Sequence, residues 1–131
     1  MTTERPLTVT ANITKQRISD LLCCAFEGGS NYWYQITKFI KPPKLEFRSD
    51  DKTIFRHLDY PLNKGGALMI GDDDDPKHNP TRLDLDAIQN GLQLMADKYP
   101  SHYADFIMEN EDASTGDVFL QLCLFGDVIY G

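Results

Sequence analysis

Apolar residues change their spacing several times along this chain, and each change marks an element. In residues 6–13, Leu7, Val9 and Ala11 alternate with polar neighbours, the period of an edge strand or extended arm. From Thr14 the period lengthens. Ile18, Leu21, Leu22, Ala25 and Phe26 fall on one helical face. Thr14 stands before them as an N-cap whose hydroxyl accepts a first-turn N–H, and Ile13 and Ile18 occupy hydrophobic-staple positions. Gly28 or Gly29 is expected to close the helix by taking positive φ, which a side chain with Cβ resists. Residues 32–40, YWYQITKFI, are aromatic and β-branched and read as a strand that Pro42 and Pro43 stop.

Two weak strands, 44–49 and 52–60, follow around Asp50 and Asp51, with a turn at 63–66 and a short buried strand at 67–70. Residues 71–80, GDDDDPKHNP, read as a loop, because adjacent carboxylates repel in any regular element. A brief strand at 81–85 leads to Asp84 as N-cap of a helix reaching about Tyr99. Its inward stripe is Ile88, Leu92 and Met95, with Leu94 on the flank, and Pro100 ends it. Ser101 is expected to cap a shorter helix packed through Tyr103, Phe106 and Ile107. A last helix from about Thr115 carries Val118, Phe119, Leu122, Cys123 and Phe125 and stops at Gly126. Residues 127–130 either return to the sheet or dock on the core. The pattern predicts one α+β domain spanning 1–131: three or four helices packed on a small, mostly antiparallel sheet. Trp33 and Phe39 join the first, third-quarter and last helices in the core.

A chain of 131 residues is long enough for a single core. No run approaches the roughly 20 apolar residues of a membrane-crossing helix. The polar N-terminus has no signal pattern, so a cytoplasmic location is expected, with no membrane partner. Cys23, Cys24 and Cys123 lack metal or redox spacing and read as small apolar residues in a reducing compartment. The formal charge of −7 is unevenly spread. Residues 1–64 hold ten basic and seven acidic side chains, whereas residues 65–131 hold three and thirteen. The second half therefore repels nucleic acid and attracts cationic surfaces, provided its carboxylates share a face.

Candidate chemistry is sparse. Asp72, Asp73, Asp74, Asp75 and His78 are oxygen and imidazole donors, but consecutive carboxylates diverge and the EF-hand order is missing. Glu27, Asp59, Asp105, Glu109 and Asp112 carry no spacing that pairs an acid with a base, and there is no nucleophile-elbow, phosphate-loop or zincin motif. No catalytic residue, metal ligand or cofactor is assigned, and enzymatic activity is left as the less favoured option. Lys38, Lys41, Lys44, Arg48, Lys52 and Arg56 surround the aromatic strand, and Tyr32, Tyr34 and Ile36 alternate there. The acidic total opposes direct nucleic-acid binding, so these read as solvated sheet lysines.

Three blocks, FEGGSNYW, GLQLMADKYPSHYADF and DASTGDVFLQLCLFGDVIYG, resemble a family of small hypothetical proteins from tailed phages and prophages. The resemblance runs from about Ile18 to the C-terminus. It implies a phage or prophage origin and no activity. Combined with the charge split, it leads us to expect a protein that acts by protein–protein contact in a bacterial cell, docking an unidentified basic partner. One version of that role is inhibition of a host nucleic-acid-binding or defence factor by imitating the charge of nucleic acid. The candidate partner-binding residues are Asp72, Asp73, Asp74, Asp75, Asp105, Glu109, Glu111, Asp112 and Asp117. A homodimer through the 32–34 aromatics is a further option. The alternative is a small enzyme or ligand-binding domain with its site between Gly28 and Tyr34.

Overall fold

A computed structural model describes residues 10–49, 56–72 and 79–131. The predicted alternation at Leu7 and Val9, the Asp50–Asp51 turn, residues 52–55, Asp73, Asp74, Asp75 and His78 lie outside the described residues. Residues 10–13 belong to no helix or strand. Helix α1, Lys15–Cys24, starts where expected: the Arg17 amide donates to Thr14 Oγ1 at 3.2 Å, and Ile18, Leu21 and Leu22 are buried.

The helix does not simply stop at the glycines. It widens into a π-helical turn, Ala25–Gly29. Neither Gly28 nor Gly29 has positive φ, which corrects the expected reason for the pair. Gly29 is needed because another helix passes alongside: a Cβ there would overlap the Ala113 carbonyl, whereas one on Gly28 would meet the Ala113 side chain at an ordinary 3.6 Å. The same contact demands Gly116, where a Cβ would lie 2.5 Å from the Ala25 nitrogen. Close approach of two backbones fixes these residue types.

Strand β1, Tyr34–Ile40, pairs antiparallel with β2, Ala67–Asp72, which pairs antiparallel with β3, Thr81–Leu83, in the order β1-β2-β3. The β1–β2 register slips between Ile36 and Lys38. Ile36 faces Ile70 and Phe39 faces Leu68, so the bulge at Thr37 inverts the side-chain phase of the strand. Phe39 thereby stays on the core side of the sheet, but at its end: it is 46 % exposed and rests near the His57 ring, contrary to its expected place in the core.

Residues 56–60, the described part of the strand expected at 52–60, instead belong to a 3-10 helix, Arg56–Leu62, containing Pro61. Proline lacks an N–H for a ladder. The turn is held from inside. Buried Asp59 accepts the Ser19 hydroxyl at 2.9 Å and the Ser49 amide at 3.0 Å. Buried Asn63 accepts the Glu46 and Phe47 amides, each at 2.7 Å, and donates to the Asp59 carbonyl. These side chains replace strand pairing for 44–49, which runs as an irregular segment.

Helix α2, Leu85–Lys98, is capped by Asp84 and buries Ile88, Gly91 and Met95. Pro100 does not merely end it. Proline sits at the first position of α3, Pro100–Ile107, so Tyr99 is the joint and Ser101 is inside the helix rather than its cap. Helix α4, Ala113–Phe125, begins two residues earlier than expected, capped by Asp112, and ends at Gly126 with φ 75°. It packs on α1, α2 and the π turn and is buried nearly all round through Phe119, Leu120, Leu122, Cys123 and Leu124. The architecture is α+β: four α-helices with a π and a 3-10 turn beside a three-stranded antiparallel sheet, among the described residues.

Candidate functional site

Two acidic regions stand out, and they are built differently. The first lies where the π turn meets β1. Asp117, in the second turn of α4, has both oxygens engaged. Oδ1 accepts the Ser30 hydroxyl at 2.8 Å, the Trp33 indole N–H at 2.8 Å and the Gln121 amide at 3.1 Å. Oδ2 accepts the Tyr32 hydroxyl at 2.7 Å. A carboxylate with several donors is well solvated by protein without any cation. Desolvation and the hydrogen bond to Asp117 push the Tyr32 phenol up to about 12. Tyr32 is half exposed, and Gly131 lies close to its hydroxyl.

Gln121, one turn further along α4, extends this network to the C-terminal residues. Its Oε1 accepts the Ile129 and Tyr130 amides at 2.8 Å each, and its Nε2 donates to the Tyr130 carbonyl at 3.3 Å. Residues 127–130 are thus docked by one fully buried side chain instead of joining the sheet. Tyr130 stacks on Trp33 at 4.9 Å and 12°, and its hydroxyl donates to Asp72 Oδ2 at 3.3 Å. The junction between Gly28 and Tyr34 is therefore occupied by the protein's own Asp117, Gln121 and Tyr130.

The second region surrounds Arg17 and the α3–α4 connection. The guanidinium forms a two-pronged pair with Glu111, at 2.6 and 3.0 Å, donates to the Phe106 carbonyl at 2.6 Å, and lies 4.8 Å above the Phe106 ring. The Arg17 hydrogen bond holds the Glu111 carboxyl below its ordinary range, and the Arg17 pKa rises in turn. Asp112 is lowered chiefly by the Thr115 amide it caps; the Thr115 hydroxyl also donates to it, and His102 Nδ1 lies 3.1 Å from that hydroxyl. Beyond these anchors the surface is open. Glu109, at φ 60°, is three-quarters exposed and only 3.8 Å from Arg17 Nε. Asp105 is exposed, with no side-chain partner among the described residues. Between them Ile107 is 46 % and Met108 69 % exposed.

Of the nine candidate residues, Asp72 and Asp117 flank the Trp33–Tyr130 stack, whereas Asp105, Glu109, Glu111 and Asp112 gather at the α3–α4 shoulder. Asp73, Asp74 and Asp75 are outside the described residues. Glu111, Asp112 and Asp117 each hold part of the fold together. Ser30, Gln121, Tyr130 and Arg17 were not expected to matter. The signal for Gln121 was its position four residues after Asp117 inside an otherwise apolar helix.

A groove of about 790 Å³ opens between residues 10–15 and α2, with Ile13, Ile18, Leu62, Ile88 and Leu92 in its lining. Among the described residues no three metal-ligating side chains gather, and no helix is long and apolar enough to cross a membrane. All three cysteines are unpaired, and burial raises the pKa of each. No family model, curated protein or solved structure matches the chain.

Proposed function

We propose that this protein acts by contact with another protein, and that the α3–α4 shoulder is its docking surface. The reading is supported above all by the exposed apolar pair Ile107 and Met108 standing between Asp105 and Glu109. An apolar centre with a charged rim is the anatomy of a protein interface. The partner is cationic, because the carboxylates at the rim, Asp105 and Glu109, are exposed. Within the phage or prophage setting that the sequence blocks suggest, a basic host protein that handles nucleic acid or defends the cell is a fitting target.

The test is capture from bacterial lysate over a salt series. The wild-type protein is compared with a shoulder variant carrying Asp105→Asn, Met108→Ser and Glu109→Gln. A basic protein retained by the wild type at low salt, released as salt rises and lost with the shoulder variant carries the reading. Equal capture by both proteins sinks it.

A further inference from the structure

A second surface, of opposite charge, lies along β1. The sheet order makes β1 an edge strand: β2 pairs with one side, and no described strand pairs with the other. Gln35, Thr37, Lys38 and Phe39 are exposed there. Lys41 and Lys44 continue in the chain that leaves the strand, also exposed, and residues 34–45 contain no carboxylate. None of these three lysines has an ion pair among the described residues. An edge strand presents a row of unpaired N–H and C=O groups, and natural edges are guarded by lysine and by bulges, both of which occur here.

We propose that the β1 edge accepts a short extended acidic segment of another protein as an added strand. Three features select that occupant. The backbone edge offers donors and acceptors in alternation, which a peptide matches and a phosphate chain, acceptor only, does not. The lysines supply the charge that favours carboxylates at the Lys38–Lys44 end. A second copy would bring like lysines together, which disfavours self-pairing. This surface is distinct from the α3–α4 shoulder and takes ligands of the opposite sign.

The experiment is a nuclear magnetic resonance titration of the full chain, labelled with nitrogen-15, using a capped hexapeptide of alternating valine and glutamate. Shifts centred on the amides of residues 35–40, with Lys41 and Lys44, support the proposal. Affinity is expected to fall roughly tenfold in the triple variant Lys38→Glu, Lys41→Glu, Lys44→Glu, as three exposed charge pairs would lose about that much. These lysines are on the surface, so the variant's own spectrum reports whether it is folded. Binding must also be lost when alternate peptide amides are N-methylated, because strand addition needs them and simple charge attraction does not. The proposal is overturned if the shifts fall elsewhere or are absent, if the N-methylated peptide binds as well, if a valine–lysine peptide binds equally, or if oligothymidylate moves the same amides at lower concentration. The shoulder variant retains its peptide affinity, which separates failure here from failure of the interface reading.

Discussion

Asp117 and Glu109 are both carboxylates of the acidic half, yet the fold uses them in opposite ways. Asp117 is enclosed by Ser30, Tyr32, Trp33 and Gln121 and joins α4 to the start of β1. Glu109 stands in solvent beside Met108, with one long contact to Arg17. Glu111 is intermediate: adjacent in the chain to the exposed connection, it is drawn inward by the same guanidinium. A count of acidic residues therefore overstates the surface charge available to a partner. Enclosed carboxylates contribute to folding, and only the exposed ones remain for recognition.

The contrast is broken most severely by closing the gap that lets α4 approach the π turn. Gly116→Val is expected to cost about 3 kcal/mol or more, because the added atoms meet backbone that cannot move aside. Urea denaturation would show it, and an unchanged midpoint would mean the two backbones are not in contact. Asp117→Ala comes next, at about 2–4 kcal/mol, since it strands several donors at once. Asp117→Asn keeps an acceptor and should lose less. Trp33 fluorescence should respond to both, as its indole N–H is bound to that carboxylate.

Acid sharpens the comparison further. Glu111 and Asp112 have folded pKa values below their unfolded ones, so the unfolded chain binds more protons as pH falls. Their stabilisation is complete above the ordinary carboxylate range and is lost as pH drops through the lowered values. Glu111→Gln should flatten this dependence in thermal melts between about pH 5 and pH 2. At the alkaline end the sign reverses. Tyr32 ionises later when folded, near 12, so the stability it contributes is present below the ordinary tyrosine value of about 10 and is lost as pH rises through 12. Ultraviolet titration should lose one late-ionising phenol in Tyr32→Phe. The smallest effect on stability is expected from Asp105→Asn with Glu109→Gln, within about 0.5 kcal/mol. That pair should nevertheless weaken capture of a basic partner, which is the signature of residues reserved for recognition.

Much of the fold was legible in local pattern. Thr14 and Asp84 as caps, the Ile88 and Met95 stripe and the Gly126 stop all follow from short-range rules, and each is observed. The failures share a cause. Residues 56–60 have strand-like composition, but Asp59 and Asn63 bind distant backbone and hold a 3-10 turn. Phe39 has a core residue's chemistry but sits at the end of the sheet after a bulge. Gly29 has the sequence context of a helix-closing glycine, whereas its role is to admit the Ala113 carbonyl. Each depends on a partner far away in sequence.

By itself the sequence determined where the helices lie, the caps at Thr14 and Asp84, the stop at Gly126, the α+β class and the division of charge between halves. Those properties depend on neighbours within a few residues, whose spacing can be read along one dimension. Only the tertiary structure decided which carboxylates are enclosed, which aromatic residue covers Trp33 and which strand edge stays open. Each of those outcomes is a competition between solvent and groups tens of residues apart, and it is settled by packing.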